Sequence, residues 1–299
     1  MDAIELGATL YVPAMRGDLY ETITGVRHPA LRSSVVCLED STRPEDVPQA
    51  LTNLATMLPR LAQAGTDRPS VFVRPRDENM LVRLLALPGI EAVKGFVLPK
   101  VTAESFPALL RHLVHDDHLL MPTLETREIF DPVELIRLRE QFLSVQHRIL
   151  AIRIGGNDLL QNIGARRSRT RSIYDGPLGG TIATLVTSFA PFGFALSGPV
   201  FEHFGNGELL REEVERDIEH GLLTKTAIHP AQIELIQSCY RVDAHDLAEA
   251  RAILAGDKGG VFAIAGSMCE PATHHRWAET IVRRAALYGV RPEIVAATA

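Results

Sequence analysis

Eight short runs of β-branched and aliphatic residues alternate along this chain with longer stretches whose apolar residues recur every three or four positions. That alternation is typical of parallel strands separated by crossover helices. The runs occupy residues 9–13, 34–39, 70–74, 95–99, 118–124, 148–154, 194–200 and 224–228. Most are spaced by about the length of one βα unit, and only the gap between the sixth and the seventh is clearly longer. Eight such units predict an α/β fold, the (β/α)₈ TIM barrel.

The intervening helices are predicted from apolar stripes and from capping residues. One stripe steps by three or four positions through Val47, Leu51, Leu54, Leu58 and Leu61. Asp131 followed by Pro132 is a helix start, because Asp caps the first turn and Pro suits its first position. Further helices are predicted at 181–189 and 209–218, and three more after the eighth strand, with a loop at 256–260. We therefore expect one barrel domain, 1–299, with 231–299 as a C-terminal helical extension.

Composition limits the class of protein. The chain has 299 residues, 46% of them hydrophobic, which is enough to bury a large core. Its net charge of −6 argues against a nucleic-acid or anionic-membrane partner. The sequence lacks an apolar run of membrane-spanning length, and its N-terminus is acidic where a signal peptide is basic, so we expect a cytoplasmic protein. Cys37, Cys239 and Cys269 lie far apart, and disulfides are not expected.

Ionisable side chains follow most of the predicted strands. In chain order they are Glu39 and Asp40, Arg74, Lys100, Glu125, Asp158 and His229. In a parallel barrel the loops at the C-terminal ends of the strands build the active site. We therefore expect these side chains to converge on one rim.

Glu125 and Asp158 are the predicted metal ligands. Adjacent parallel strands lie about 4.8 Å apart, so carboxylates at two neighbouring strand ends can share one hard cation. Mg²⁺ takes one or two protein carboxylates and keeps its other positions for water and substrate. The alternative is that each acid caps a helix or pairs with a neighbouring base.

Arg74 is the predicted substrate clamp, because a guanidinium binds a carboxylate through two parallel hydrogen bonds or polarises a carbonyl oxygen. The alternative is a structural ion pair with Glu39 or Asp40. Those two acids could balance the arginine, hold metal-bound water or transfer protons, and the sequence leaves these roles open.

Lys100 and His229 each have two interpretations. A lysine with a lowered pKa could form a Schiff base with a carbonyl substrate, which would make the protein a metal-free aldolase. The other interpretation makes Lys100 a charged partner for a strand-end acid. His229, which precedes Pro230, is either a proton donor or a hydrogen-bonding brace.

A glycine pair and several arginines follow the sixth strand. Gly155 and Gly156 suit the turn beside a metal site, and further along come Arg166, Arg167, Arg169 and Arg171. Such a basic run is usually solvated, but it could also attract an anionic substrate or a phosphate-bearing handle such as coenzyme A. We assign substrate contacts to Gly156, Asn157, Arg166 and Arg167 in addition to Arg74.

An ordered set of motifs resembles the HpcH/HpaI aldolase and citrate lyase beta-subunit family. The motifs are Leu-Tyr-Val-Pro (10–13), Cys-Leu-Glu-Asp (37–40), Val-Arg-Pro (73–75), Val-Leu-Pro-Lys-Val (97–101), Leu-Glu-Thr (124–126), Gly-Gly-Asn-Asp-Leu (155–159) and Ala-Ile-His-Pro-Ala-Gln-Ile (227–233). The chain departs from the family at 194–198, where citrate-lyase-like members usually carry an aspartate, and in its arginine-rich loop. It therefore resembles a divergent carbon–carbon bond lyase branch.

The resemblance implies a (β/α)₈ barrel that forms homo-oligomers, trimers or hexamers, through its C-terminal helices. It implies Mg²⁺ on Glu125 and Asp158, and a substrate contact at Arg74. We also expect that Mn²⁺ can replace Mg²⁺. Members of the family make or break carbon–carbon bonds in citryl-, malyl- or methylmalyl-type thioesters or in hydroxylated 2-oxo acids, through an enolate that the metal stabilises. The substrate would then be a small carboxylate or an acyl-coenzyme A.

We therefore predict a metal-dependent carbon–carbon bond lyase that acts on a 2-oxo acid, a hydroxy acid or an acyl thioester. One alternative is a Schiff-base aldolase that uses Lys100. The other is a non-catalytic barrel that binds a metal and a carboxylate, or a nucleotide, since a fold does not determine a function.

Overall fold

The computed structural model describes residues 1–65, 67–113, 117–257, 259–264 and 266–292. The chain divides into two compact units, Met1–Ile236 and Gln237–Ala299. None of the helices in these described ranges is both long enough and apolar enough to cross a membrane. The single-domain prediction stays a prediction.

The first unit contains an eight-stranded parallel barrel. Its strands are β1 (Ala8–Pro13), β2 (Ser33–Cys37), β3 (Ser70–Arg74), β4 (Gly95–Leu98), β5 (Leu119–Leu124), β6 (Ile152–Ile154), β7 (Leu196–Ser197) and β8 (Lys225–Ala227). Each strand from β1 to β6 pairs with the next one along the chain, and β1 also pairs with β8. The ring closes where Gly198 forms a parallel bridge with Lys225 and its N–H donates to the carbonyl of Thr224 at 2.8 Å. The predicted α/β TIM barrel is confirmed.

Two strands are shorter than the sequence predicts. The sixth was expected over 148–154, but Gln146–Arg148 form a 3₁₀ turn instead. There the Arg148 guanidinium donates to backbone carbonyls of Leu113 and His118. The seventh was expected over 194–200 and ends before Pro199, which has no N–H to donate to a neighbouring strand.

Of the helices that alternate with the barrel strands, those at Val47–Gln63, Pro132–Ser144, Leu178–Phe189 and Gly207–Glu219 were predicted. The helices of the barrel are α1 (Leu19–Ile23), α2 (Val47–Gln63), α3 (Glu78–Leu85), α4 (Phe106–His112), α5 (Pro132–Ser144), α6 (Gly156–Asn162), α7 (Leu178–Phe189) and α8 (Gly207–Glu219). In α2 the stripe from Leu51 to Leu61 is buried. Asp131 caps α5 as predicted, since its carboxylate accepts a hydrogen bond from the Val133 N–H at 2.9 Å.

Apolar side chains fill the N-terminal end of the barrel interior. Ala3 and Leu6, on a 3₁₀ turn before β1, pack with inward side chains of the strands such as Phe72, Val97 and Met121. This filling leaves the opposite end, where the strands finish, for polar side chains.

The second unit has its own small core, made by Val242, Leu247, Ala250, Ile253, Cys269, Ala278 and Ile281. The three predicted helices are present as α9 (Ala231–Cys239), which crosses the division between the units, α10 (Ala244–Ala255) and α11 (Pro271–Tyr288). The described residues of 256–260 form a loop, as expected, and Lys258 lies outside the described residues. An antiparallel pair, β9 (Phe262–Ile264) and β10 (Ser267–Cys269), was not predicted, because each strand has only three residues and half of the six are exposed.

Candidate active site

A cavity of about 240 Å³ opens at the C-terminal ends of the barrel strands. Seven of the residues predicted for the site line it: Glu39, Asp40, Arg74, Glu125, Gly156, Asn157 and Asp158. The convergence of strand-end side chains on one rim is therefore what the fold produces.

Arg74 lies at the centre of a buried network. Its Nε donates to Glu39 Oε2 at 2.6 Å, and its Nη2 to Glu125 Oε1 at 2.9 Å. Its Nη1 reaches the Thr123 hydroxyl at 3.2 Å. Burial lowers the pKa of Arg74, but the carboxylates of Glu125 and Glu39 outweigh burial and raise that pKa above its ordinary value. Arg74 thus forms a structural ion pair, with Glu125 as an additional partner, and still lines the cavity.

Glu125 has one occupied and one open carboxylate oxygen. Oε1 accepts hydrogen bonds from Arg74 and from the Lys100 backbone N–H, the latter at 2.8 Å. Oε2 accepts none from the described residues. Burial raises the pKa of Glu125 to about 7, and the charge of Asp158 adds to that rise while Arg74 opposes it. Lys100 donates from a left-handed backbone conformation, φ 50°, which is uncommon for a residue with a Cβ atom and is often found at functional sites.

Asp158 is half-buried in the first turn of α6. It neither caps that helix nor forms a hydrogen bond or ion pair with another described residue. Burial, and then the charge of Asp40, raises the pKa of Asp158. Strands β5 and β6 are paired, with Leu124 level with Ile154, so Glu125 and Gly155 follow at the same height.

The donor set suits a hard divalent cation that keeps several waters. Asp158 and Glu125 Oε2 offer carboxylate oxygens, which are the ligands Mg²⁺ prefers. No cluster of three or more His, Cys, Asp or Glu side chains that could hold a metal occurs in the described ranges. A metal ion that is held only by protein side chains needs such a cluster. Mg²⁺ does not, because it binds one or two carboxylates and fills its other positions with water and substrate.

Lys100 is a charged partner of the strand-end acids. Its Nζ lies 2.7 Å from Glu39 Oε1 and 3.6 Å from Asp40 Oδ1, with its side chain half-exposed. Burial lowers the pKa of Lys100, but its hydrogen bond to Glu39 outweighs burial and raises that pKa. A Schiff-base lysine needs a lowered pKa, so these contacts favour the ion-pair interpretation.

Arg167, which was expected to contact substrate, is not among the residues that line the cavity. Its guanidinium is buried, ion-paired with Glu213 and bonded to the carbonyl of Val200. The Lys225 Nζ lies 3.0 Å from Oε1 of the same Glu213 and 2.7 Å from Asp217 Oδ2. This buried network joins α8 to β8, so Arg167 is structural.

Arg166 and His229 also lie outside the cavity wall. Arg166 is exposed, 3.5 Å from Glu202, which accepts a hydrogen bond from Asn157 at 3.4 Å. The ring of His229 stacks on Phe204 with centroids 4.7 Å apart, and its Nδ1 accepts from a backbone N–H at 3.2 Å. These contacts match the bracing role for His229.

Sequence reasoning missed Arg153, Thr123, Thr226 and Tyr11, which line the same cavity. Arg153 is the central residue in the Ile-Arg-Ile run of β6 and is buried. A charged residue inside an otherwise apolar barrel strand was the available signal, because alternate positions of a strand point into the barrel.

Solved structures share this fold at low sequence identity. CitE from Mycobacterium tuberculosis, in complex with magnesium, acetoacetate and coenzyme A, superposes with a TM-score of 0.69 at 24% identity, covering 95% of this chain and 99% of that one. RipC from Yersinia pestis superposes with a TM-score of 0.61 at 22% identity, covering 81% of this chain and 98% of that one.

Sequence comparison leads to the same group of proteins. The citrate lyase subunit beta-like proteins of two Mycobacterium tuberculosis strains, CDC 1551 / Oshkosh and ATCC 25618 / H37Rv, are 31% identical over 135 residues, which cover 44% of this chain and 49% of theirs. The alignment thus spans about half the length of these relatives. Residues 1–290 match the family described as C-C bond lyase of the TIM-barrel fold. With the predicted citrate lyase beta-like resemblance confirmed, the chain belongs to this family of carbon–carbon bond lyases.

Proposed function

We propose that this protein is a Mg²⁺-dependent carbon–carbon bond lyase that acts on a small 2-oxo acid, a hydroxy acid or an acyl thioester. The observation that carries the proposal is the pairing of open carboxylate oxygens, on Glu125 and Asp158, with the buried guanidinium of Arg74 in one cavity. The family supports the type of reaction. A related CitE structure contains magnesium and pyruvate, and a related citrate lyase beta subunit structure contains magnesium and oxaloacetate. Both support the cofactor and the substrate class.

Glu125 and Asp158 would hold the cation. Mn²⁺ prefers similar oxygen ligands and would replace Mg²⁺. When bound, the metal supplies Lewis-acid polarisation of a carbonyl or carboxylate oxygen of the substrate. Burial raises the pKa of both carboxyl groups, and a neighbouring negative charge raises each further, Asp158 for Glu125 and Asp40 for Asp158. A divalent cation would relieve that repulsion.

Arg74 would bind and orient the substrate. Glu39, Glu125 and Thr123 fix its guanidinium in the cavity wall. A positive group held in this way stabilises negative charge that develops on a substrate oxygen, and it does so without reorganising. The buried site makes that interaction stronger than it would be in water.

Asp40 and Lys100 would stand at the mouth, where they meet solvent. The side chain of Asp40 is 65% exposed and that of Lys100 is 49% exposed, and the Lys100 Nζ lies 3.6 Å from Asp40 Oδ1. They are therefore the groups best placed to exchange a proton with water while Glu39 stays bound to Arg74. Gly156 and Asn157 complete the wall beside Asp158.

The cavity volume suits a small acid as the reacting part. A coenzyme A handle would have to extend out through the mouth, towards exposed Arg166. We also propose the homo-oligomeric, cytoplasmic state predicted from the sequence, for which size-exclusion chromatography with light scattering is the test of assembly.

Asp158→Asn tests the proposal directly. We expect it to abolish Mg²⁺-dependent turnover and to weaken Mg²⁺ binding in calorimetry, with circular dichroism unchanged. Asp67→Asn is the matched control, because Asp67 is exposed before β3, at the other end of the barrel. The substrate panel comprises oxo acids, hydroxy acids and their thioesters.

Full activity in excess EDTA, or in Asp158→Asn, contradicts the proposal. Mg²⁺-dependent binding of a carboxylate without turnover of any panel member supports the non-catalytic binding barrel instead.

A further inference from the structure

Arg153 places a second guanidinium in the cavity wall, apart from Arg74. It is 2% exposed, yet it lines the cavity. Its Nη2 donates to the Thr226 hydroxyl at 2.5 Å, and its Nη1 lies 3.6 Å from the sulfur of Met121. The guanidinium carbon sits 5.3 Å from the centroid of the Tyr11 ring. The side chain therefore extends from β6 towards β8 and β1.

The two guanidiniums have different hydrogen-bond partners. Arg74 is held by Glu39, Thr123 and Glu125, at the ends of β2 and β5. The head of Arg153 lies instead among side chains of β8 and β1. In the ladder, Arg153 is level with Thr123, so its backbone lies two residues deeper in the barrel than Glu125.

Depth and burial make Arg153 effective on an anion inside the cavity. A charge in a water-poor wall acts on cavity contents through a lower effective dielectric than water, so an anion there gains more than it would at the surface. A guanidinium also presents donors in a planar fork that matches a carboxylate.

The cavity that Arg74 and Arg153 both line has room for a four-carbon diacid. A volume of about 240 Å³ is roughly the share of eight water molecules in the liquid. One carboxylate end would lie beside Arg74 and the acids Glu125 and Asp158, and the other would reach Arg153.

We infer that Arg153, braced by Thr226, binds a second carboxylate of the substrate, so that the site selects dicarboxylic acids over monocarboxylic acids. This inference rests on the proposed function, in which the first carboxylate or carbonyl is bound at Arg74 and the metal ligands. Arg153 is a specificity-determining residue in this scheme and takes no part in breaking the bond.

The test compares two stable probes that differ by one carboxylate, malate and lactate. Their dissociation constants are measured by calorimetry with saturating Mg²⁺ in the full chain, in Arg153→Met, in Arg153→Lys and in Thr226→Val. Arg83→Met is the charge-matched control, because Arg83 is exposed on α3. Thermal unfolding of each variant shows whether it is folded.

We expect Arg153→Met to weaken malate binding by about 10- to 100-fold, the equivalent of one charge-assisted hydrogen-bonded pair. Lactate binding should change by less than about 3-fold, which is under 1 kcal/mol. Arg153→Lys should recover part of the malate preference because it keeps the charge, and Thr226→Val should lose part of it by releasing the brace. If Arg153→Met does not fold, the last two variants decide.

If Arg153→Met loses the same affinity for malate as for lactate, the inference is overturned, because Arg153 would then bind the carboxylate that both probes share. An unchanged preference for malate in Arg153→Met, or in both milder variants, overturns it as well. Failure of the proposed function looks different, since neither probe would then bind the wild-type chain in a Mg²⁺-dependent way.

Discussion

Gly155→Ala tests how closely Gly155, in the turn that follows β6, approaches the proposed metal ligand Glu125. A Cβ atom at Gly155 would lie 2.3 Å from Glu125 Cβ and 2.5 Å from Glu125 Oε2. Gly155 has φ −83° and ψ 74°, outside the left-handed region, so the cost of the substitution is steric. Glu125 cannot turn aside easily, because Arg74 and the Lys100 N–H hold its Oε1.

The magnitude follows from overpacking. Forcing one extra methyl group into a packed site destabilises a protein by about 1–3 kcal/mol. The lower entropy of the unfolded alanine variant offsets about 0.4–1 kcal/mol of that. We expect the free energy of unfolding to fall by about 1–2 kcal/mol, and the Tm by about 2–6 °C in a chain of this size. Because Glu125 must shift, Mg²⁺ affinity should fall about 10- to 100-fold, as when a supporting contact of a metal ligand is lost.

Two assays read these effects separately. Denaturant unfolding without metal gives the stability change, and calorimetric titration with Mg²⁺ gives the affinity. Gly180→Ala is the matched control, since Gly180 lies inside α7 and an added methyl group there would meet no atom within 4 Å. That control should gain about 0.5–1 kcal/mol of stability from helix propensity and bind Mg²⁺ normally.

A Gly155→Ala protein that keeps wild-type stability would refute the steric argument. One that loses stability but binds Mg²⁺ with unchanged affinity would show that Glu125 is not a ligand.

Three further predictions address other parts of the molecule. Glu213→Gln should cost about 3–5 kcal/mol in denaturant unfolding at pH 7, because it leaves buried charges uncompensated. Burial raises the pKa of Glu213, but Lys225 and Arg167 outweigh burial and hold that pKa low. The stabilisation that ionised Glu213 provides is therefore complete above the ordinary carboxyl pKa of about 4.3, and it is lost as pH falls through the lowered pKa. If the difference in unfolding free energy between wild type and Glu213→Gln does not shrink in acid, this reasoning is wrong. Lys100 should give no borohydride-trapped adduct with pyruvate at pH 7, by mass spectrometry, because its amine stays protonated; a trapped adduct would revive the Schiff-base mechanism. Asp131→Ala should lose about 1 kcal/mol in unfolding as the cap of α5 is removed, and no loss would mean the cap is not formed in solution.

The fold was predictable because its signals are local and repeated. Runs of β-branched residues and the stripe of α2 each follow from the period of one element, and eight repeats of one unit leave few topologies. The end of the seventh strand was less predictable. The apolar run continues to Val200, but β7 has only two residues and ends before Pro199, which has no N–H for a ladder hydrogen bond. The β9–β10 pair was missed since its strands are too short and exposed to carry a pattern.

The site was predictable where a residue's place in the barrel decides its position. Residues one or two positions after a strand, such as Glu125 and Glu39, reach the mouth of any parallel barrel. Arg167 could not be judged that way, because it lies in a long loop whose path depends on its burial against Glu213. Arg153 was overlooked because it sits inside a strand instead of at the end of one.

The amino-acid sequence by itself determined the order of the eight barrel strands, the end of the barrel at which polar groups collect, and the identity of the two acids proposed as ligands. Only the tertiary structure decided which ionisable groups share an environment. Arg74 meets Glu125 across 51 positions of sequence, and Arg153 meets Thr226 across 73. Contacts of that separation depend on how strands are arranged around the ring and on how deeply each side chain is buried, which no local pattern encodes.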